Sequence, residues 1–284
     1  MNRSWLYVPG DRPDRITKAF ATEADAVIID LEDAVKPAAK ADARANAVAA
    51  LAGDRRPQRW VRLNSGDDGR RDLDALVASP TRPDGVLLAK CDTPAWIAEV
   101  AAALPGVAVA PLVETAVALR DLHTIVAAPS VALCHLGEVD LLAELGGRLP
   151  GGQALIDHAR IALVVASAAA GIGAPVGGVH LLVDDLQALA VTSSTLADLG
   201  FGGRAVIHPS HCAAVNAAFS PTAAEIEWAR DVVALLDGAA GAVRDASGAM
   251  IDEAVARRAR RMLNPRVSAT PGVAETLGNT VKND

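Results

Sequence analysis

Charged and polar residues in this chain recur at one position of a repeating pattern, the ends of short apolar runs. AVIIDLE (26–32) ends in Asp30 and Glu32, with Asp33 following. RWVRLN (59–64) carries Arg62 and Asn64, GVLLAK (85–90) ends in Lys90, and VAVAPLVE (107–114) ends in Glu114. VALCHLG (131–137) leads into Glu138 and Asp140, and AVIHP (205–209) holds His208. If the runs are neighbouring parallel strands, these side chains share one rim. Carboxylates from neighbouring strands suit a hard divalent cation, because Mg²⁺ takes one or two protein carboxylates and completes its shell with water and substrate oxygens. An arginine close by suits a substrate carboxylate or carbonyl, since its planar fork grips oxygens bidentately. Each residue also has a plainer role. A strand-end acid can cap the next helix, Arg62 can pair with Asp30 or Glu32, and Lys90 can extend to solvent. Convergence on one rim is what points to chemistry.

The elements that must hold this rim are legible. Two further runs, SWLYVP (4–9) and VGGVHLL (176–182), bring the count to eight. Between them lie Ala-rich stretches of helical period such as KADARANAVAALAG (40–53), PAWIAEVAAAL (94–104) and HARIALVVASAAAG (158–171). Continuous apolar runs mark strands buried on both faces, and their alternation with helices marks βαβ units. Eight such units predict a (β/α)₈ barrel over residues 1–220, whose chemistry sits at the C-terminal ends of the strands. A doubly wound open sheet is the alternative, but the first strand is followed by PGDRPDR and not by a dinucleotide-binding glycine fingerprint. The pattern changes after residue 220. Two helices are expected in a C-terminal extension or lid (221–263), PTAAEIEWARDVVALLDGAAG and then MIDEAVARRARRML, followed by a disordered tail (264–284).

Composition narrows the function. The chain has 284 residues, 51% apolar and 21% charged, with a net charge of −7. That charge argues against nucleic acid or an anionic membrane as partner, and aromatics at 3% offer no stacking platform for bases or sugars. No uninterrupted apolar run reaches the ~18 residues of a membrane span, and MNRSWLYVPGDRPDR has no signal-peptide core. Cys91, Cys134 and Cys212 are widely spaced, so reduced thiols and a cytoplasmic location are expected. His208 and His211 are poor zinc ligands, with Pro209 between them and no third ligand nearby. His135 sits inside an apolar run and reads as a satisfied barrel-interior histidine. The four arginines of ARRARRML (256–263) read as a solvated helix face at a subunit contact, with a phosphate-binding face as the second option.

The motifs WLYVPGDRPDR (5–15), VIIDLEDAV (27–35), VRLN (61–64), LVETA (112–116), G-x-x-DL (137–141) and GFGGRAVIHPSH (200–211) carry a resemblance to the citrate lyase β-subunit-like branch of the HpcH/HpaI aldolase family, in unbroken order over roughly residues 4–263. The resemblance implies a (β/α)₈ barrel that assembles as a homo-oligomer (a trimer or hexamer). It also implies Mg²⁺ in the mouth and cleavage or formation of a C–C bond in a 3-hydroxyacyl-CoA such as malyl-, citramalyl- or citryl-CoA, with acyl-CoA and a 2-oxo acid as partners. By position it makes Glu114 and Asp140 the metal ligands and Arg62 the residue on the substrate oxygens, with Glu114 and Lys90 also beside the substrate. Glu32 and Asp33 belong to the catalytic DLED motif. Asp252 of MID matches a lid acid that reaches a neighbouring subunit's site and is the candidate general acid/base. Arg204 and His208 fall on the acyl-CoA side.

The chain departs from the family at Gly137-Glu138-Val139-Asp140-Leu141, where G-A-E-D-L is usual. It departs again at Gly177 and Leu182, where acids are usual, at Ala89, at Arg204 and at Glu253. These changes bear on the substrate more than on the reaction. Two alternatives stay open, an aldolase of free 4-hydroxy-2-oxo acids and a non-catalytic acyl-thioester-binding paralogue or lyase-complex subunit.

Overall fold

Eight short strands hydrogen-bond in parallel and in sequence order, and the eighth returns to the first, closing a barrel. The computed structural model describes residues 2–53, 56–238, 241–245 and 248–264. The strands are β1 (Ser4–Pro9), β2 (Ala26–Asp30), β3 (Gln58–Leu63), β4 (Gly85–Leu88), β5 (Ala108–Val113), β6 (His135–Leu136), β7 (Val176–Gly177) and β8 (Gly203–Val206). All eight apolar runs are strands, and the open-sheet alternative falls. The helices between them are α1 (Pro13–Ala19), α2 (Lys40–Ala50), α3 (Gly66–Ala78), α4 (Pro94–Ala103), α5 (Ala116–Arg120), α6 (Leu122–Val126), α7 (Glu138–Glu144), α8 (Gln153–Ala170), α9 (Leu186–Leu199) and α10 (His211–Ala218).

Alternation along each strand divides the core in two. One set of side chains, including Val27, Ile29, Val61, Leu63, Val86 and Leu88, packs outward against the helices. The other, including Trp5, Ile28, Trp60, Leu87, Leu112, Val176 and Ala205, fills the barrel. Trp5 and Trp60 meet edge to face with ring centroids 4.9 Å apart. That packing needs a bare backbone beside it: a Cβ on Gly85 would lie 2.3 Å from the Trp60 ring. Registers Asp30↔Arg62 and Leu112↔His135 set side by side the strands whose ends carry the rim.

α8 has 18 residues and a mean hydropathy of 1.2, so by length and composition it is long and apolar enough to cross a membrane. Asp157, His158 and Arg160 interrupt it, which is why the sequence shows no unbroken apolar run there. Here Ile156, Ala159, Leu163 and Ala166 are buried, and Arg160 is tied to Glu138.

The described residues form two compact units, residues 2–219 and the part of 220–264 that is described. In the second, α11 (Ala223–Asp237) starts at a capping box of Thr222 and Glu225. α12 (Glu253–Leu263) packs on it through Ala229, Val232, Ala256 and Ala259. The second helix is shorter than the periodicity of MIDEAVARRARRML predicts. Met250–Ile251 (β10) pair antiparallel with Val243–Arg244 (β9), and the helix begins only at Glu253. Asp252 sets that start, accepting the amides of Ala254 at 2.9 Å and Val255 at 3.0 Å. Within the arginine-rich stretch, Arg260 pairs with Asp237 and Glu253, and Arg258 lies over the Trp228 ring. The expected tail falls outside the described residues apart from Asn264.

The interior packing makes a prediction. Gly85→Ala overfills the layer around Trp60 and should cost about 1–3 kcal/mol, read as a lower denaturation midpoint with an unchanged m-value. An unaltered midpoint would mean that Trp60 can move aside.

Candidate active site

Arg62 and Asp30 end adjacent strands and meet in a fork. Nε and Nη2 donate to the two carboxylate oxygens of Asp30 at 2.6 Å each, with Asp30 1% and Arg62 9% exposed. Asp30 also accepts the amides of Glu32 at 2.9 Å and Ala34 at 3.2 Å, which folds the DLED segment back over the strand end. Arg62 Nη1 lies 3.1 Å from Glu32 Oε2, and the guanidinium carbon stands 5.0 Å from the centre of the Tyr7 ring. The Lys90 ammonium hydrogen-bonds Glu32 and lies 3.5 Å from Asp33. The plainer sequence reading of Arg62 is therefore realised: its fork is engaged by Asp30, and only its remaining N–H groups are left for a ligand.

A residue that sequence reasoning passed over supports this loop from behind. Lys40 donates to the carbonyls of Leu31 at 2.9 Å and Glu32 at 3.2 Å and to Asn64 Oδ1 at 2.6 Å. Asn64 in turn donates to Leu31 O and to the buried Asp72. One signal was available in the sequence. Lys40 is the first residue of α2, where the helix dipole disfavours a cation, so a lysine there implies another partner.

Glu114 ends β5 with 2% exposure. Its Oε1 accepts the Lys90 amide at 2.7 Å. Lys90 adopts φ of 48°, a left-handed conformation costly for a residue with a side chain and characteristic of functional sites. Gly137, at the end of β6, makes room for Glu114: a Cβ there would lie 2.5 Å from Glu114 Cβ and 2.9 Å from Oε2. Burial pushes the Glu114 carboxyl up to about 7, against the Lys90 amide and the Arg62 charge, while Glu32 and Asp140 push it further upward. Burial likewise raises Glu32 above the usual carboxylate range. Burial would raise Asp33 too, but its hydrogen bond with Glu32 and the nearby Lys90 ammonium hold it below that range.

The three acids of the 138–144 stretch all lie on α7 and are unlike one another. Asp140, in the first turn, is exposed and borders the same cavity as Glu114. Glu144 ends the helix. Glu138 is held by Arg160 of α8 through two contacts of 2.8 Å, so its charge is already answered.

Tyr7, Asp33, Arg62, Glu114, His135, Glu138 and Asp140 line one cavity of about 460 Å³. Glu32, which is buried, and Lys90, which is exposed, are not among the residues lining it. Tyr7 was not singled out in the sequence, where a tyrosine in an apolar strand reads as core. Burial lifts its phenol well above its ordinary range, so it stays protonated and can donate a hydrogen bond. His135 is in the barrel interior as expected, but it is not satisfied: neither ring nitrogen has a hydrogen-bond partner among the described residues.

Arg204 is buried and donates to Gly178 O at 3.0 Å, Thr192 Oγ1 at 2.7 Å and Ser193 Oγ at 3.0 Å, bracing β8 to α9. Burial lowers its pKa to about 10. His208 is exposed and bonded to Ser210, while His211 is buried against Val183 O. Asp252 belongs to the second unit, where both of its hydrogen bonds cap α12.

Among the described residues, no group of three or more His, Cys, Asp or Glu side chains forms a self-sufficient metal cage. Zinc of the structural kind is therefore a poor fit. Magnesium asks for less. Two carboxylates that repel each other, one buried and one open, with water and substrate completing the shell, match its donor chemistry.

The Glu114 environment has a consequence for stability. Its folded pKa of about 7 lies above the ordinary 4.5, so between those values the folded state holds a proton that the unfolded chain has lost. Stability from this group therefore falls as pH rises from about 4.5 to about 7 and stays low above. Without divalent ions, Glu114→Gln should melt at or below the wild-type temperature near pH 5 and several degrees above it at pH 8. Added Mg²⁺ should raise the wild-type Tm at pH 8 and leave the variant unmoved. Parallel pH profiles for the two proteins would sink the assignment.

Residues 3–209 match the family model described as HpcH/HpaI aldolase/citrate lyase. A citrate lyase subunit beta-like protein of Mycobacterium tuberculosis is 37% identical over 274 residues, covering 94% of this chain and 96% of its own. A (3S)-malyl-CoA thioesterase of Cereibacter sphaeroides is 34% identical over 241 residues, 84% of each chain. Among solved structures, CitE from Mycobacterium tuberculosis in complex with magnesium, acetoacetate and coenzyme A superposes with a TM-score of 0.80 at 34% identity, covering 92% of this chain and 96% of that one. With its closed eight-stranded barrel, its DLED loop on Arg62 and its Glu114–Asp140 rim, this chain belongs to the HpcH/HpaI aldolase/citrate lyase family.

Proposed function

We propose that the protein is a Mg²⁺-dependent carbon–carbon lyase that cleaves or forms a 3-hydroxyacyl-CoA thioester of the malyl-, citramalyl- or citryl-CoA kind, with acyl-CoA and a 2-oxo acid on the other side. The observation that carries this reading is that Glu114 and Asp140 line one cavity together with Arg62, close enough for Asp140 to raise the Glu114 carboxyl. The relative solved with magnesium, acetoacetate and coenzyme A supports it. When bound, Mg²⁺ would be held by Glu114 and Asp140 and would act as a Lewis acid on substrate oxygens.

The chain's own groups do the rest. In the cleavage direction the 3-hydroxyl gives up its proton, the bond between the carbinol carbon and the thioester α-carbon breaks, and its electron pair becomes the thioester enolate, which is then protonated. Asp33 is ionised and half-exposed on the cavity wall, so it can accept a proton. Arg62 is fixed by Asp30 before substrate arrives, and preorganised positive charge of this kind stabilises oxygen atoms on which negative charge develops. The Tyr7 phenol adds a neutral donor. Lys90 and Lys40 hold Glu32 and the DLED backbone in place. Asp252 enters this scheme through the family resemblance, as a lid acid for a neighbouring subunit. Exposed Ile161 and Val165 on α8 and Val191 on α9 offer an apolar face through which a homo-oligomer can assemble.

The 34% identity to a (3S)-malyl-CoA thioesterase favours one second reading, hydrolysis of the thioester. A single assay separates the cases. Purified protein with Mg²⁺ is given malyl-CoA, citramalyl-CoA or a free 4-hydroxy-2-oxo acid, and both 2-oxo acid and free thiol are followed. Release of 2-oxo acid from a thioester without free thiol is the expected result. Free thiol indicates hydrolysis, turnover of free acids alone indicates an aldolase, and binding without turnover indicates a non-catalytic paralogue.

Glu114→Ala and Asp140→Ala should each abolish activity and Mg²⁺ binding, and Arg62→Lys should lower kcat about 10²–10³-fold. Full activity in either carboxylate variant would refute the metal assignment.

A further inference from the structure

Among the described residues, His135 is the one lining the cavity that breaks a rule of buried groups without a visible return. It is 1% exposed, it lines the cavity, and neither Nδ1 nor Nε2 has a hydrogen-bond partner. Its neighbours do not explain it. The Trp5 ring meets it edge-on at 4.8 Å, and its register partner on β5 is Leu112. A leucine or phenylalanine would fill such a place without stranding polar atoms. An unpaired buried donor or acceptor costs free energy that an apolar residue avoids, and a local rule broken without compensation marks a functional position.

Depth and chemistry say what the imidazole would meet. His135 and Leu112 lie two residues before Gly137 and Glu114 on their strands, which is one inward-facing layer, about 6.6 Å, below the Glu114 carboxylate. The floor at this level is otherwise Leu112 and Ala205, both apolar. Burial, with Arg62 adding to it, drives the imidazole pKa down to about 3, so the ring is neutral and offers one N–H donor and one nitrogen acceptor. A neutral ring in an apolar floor matches an uncharged oxygen, whereas a second carboxylate buried there would depend on Arg62, whose fork Asp30 already engages.

We propose that His135 determines substrate specificity, hydrogen-bonding an uncharged oxygen, hydroxyl or carbonyl, on the carbon chain of the bound 2-oxo acid. The inference rests on the function proposed above, which puts the 2-oxo acid at the Glu114–Asp140 level. It adds that the acid's substituent points down to the floor, and that a substituent ending in an uncharged oxygen is preferred to its methyl isostere; glyoxylate, pyruvate and oxaloacetate, the 2-oxo acids of malyl-, citramalyl- and citryl-CoA, carry none, so the preferred thioester is a further member of that class.

Matched pairs of 2-oxo acids test this by calorimetry in the presence of Mg²⁺: hydroxypyruvate against 2-oxobutanoate, and 4-hydroxy-2-oxobutanoate against 2-oxopentanoate. In at least one pair the wild type should bind the hydroxylated member about tenfold more tightly. His135→Leu should erase that preference while keeping the affinity for the methyl member, and His135→Gln, a neutral donor and acceptor, should restore part of it. In ¹⁵N-histidine-labelled wild-type protein, the His135 ring nitrogens should shift on binding the hydroxylated acid and stay in place with its isostere. This readout does not depend on any variant folding or on turnover. Binding of all acids without preference, a preference that survives in His135→Leu, or unmoved His135 nitrogens would each overturn the role of His135 and leave the proposed function standing. Failure of the wild type to bind any 2-oxo acid with Mg²⁺ would remove the proposed function, and this inference with it.

Discussion

The site is organised around one buried ion pair, Arg62 with Asp30. Removing two charges from water is costly, and their mutual attraction offsets that cost only when geometry is good and the remaining hydrogen-bonding capacity is used. Here both conditions are met. The fork is bidentate at 2.6 Å, and the same carboxylate accepts the amides of Glu32 and Ala34. The pair therefore does more than join β2 to β3. It bends the chain after β2, which brings Glu32 within 3.1 Å of Arg62 and within reach of the Lys90 ammonium. Lys40 ties the other side of the loop to Asn64. Losing either charge of the pair would leave its partner buried and unanswered, and the loop would lose its hub.

Around that hub, carboxylates outnumber cations. Asp30, Glu32, Asp33, Glu114 and Asp140 stand against Arg15, Arg62 and Lys90. Glu114 shows the strain most directly, with its carboxyl pushed up to about 7 mainly by burial. An acidic rim in a protein of net charge −7 is a poor place for an anionic substrate unless a cation bridges the two. This is why the charge pattern and the donor set lead to the same metal chemistry. The left-handed backbone of Lys90 belongs to the same arrangement, since it points an amide at Glu114 while the side chain serves Glu32.

The departures from the family pattern acquire physical content. The acid usual at 139 is Val139, and Glu138 does not replace it as a free carboxylate, because Arg160 holds it with two contacts of 2.8 Å. The charge at 138 braces α7 to α8 while Glu138 still borders the cavity. Arg204 likewise serves as a brace, donating to neutral oxygens of β7 and α9. Below the rim lies the cavity floor, where His135 sits among apolar side chains.

Sequence reading placed all eight strands, because strands covered on both faces must be apolar along their whole length and a barrel repeats that requirement eight times. It placed Arg62, Glu114 and Asp140 on one rim for a related reason: the C-terminal ends of parallel strands are where a barrel leaves polar side chains without a core to enter. It misjudged what depends on distant partners. Tyr7 drew no reading, Lys40 read as a helix residue and His135 as satisfied, and the second C-terminal helix was begun too early because Met250–Ile251 fit a helical period as well as a strand. Periodicity and residue type are local, so the sequence by itself determined the barrel and the composition of its rim. Which charges neutralise one another, and which polar atoms are left without a partner, depend on contacts between residues such as Asp30 and Arg62 or Glu138 and Arg160. Those distances exist only once the barrel has closed, and the tertiary structure alone decided them.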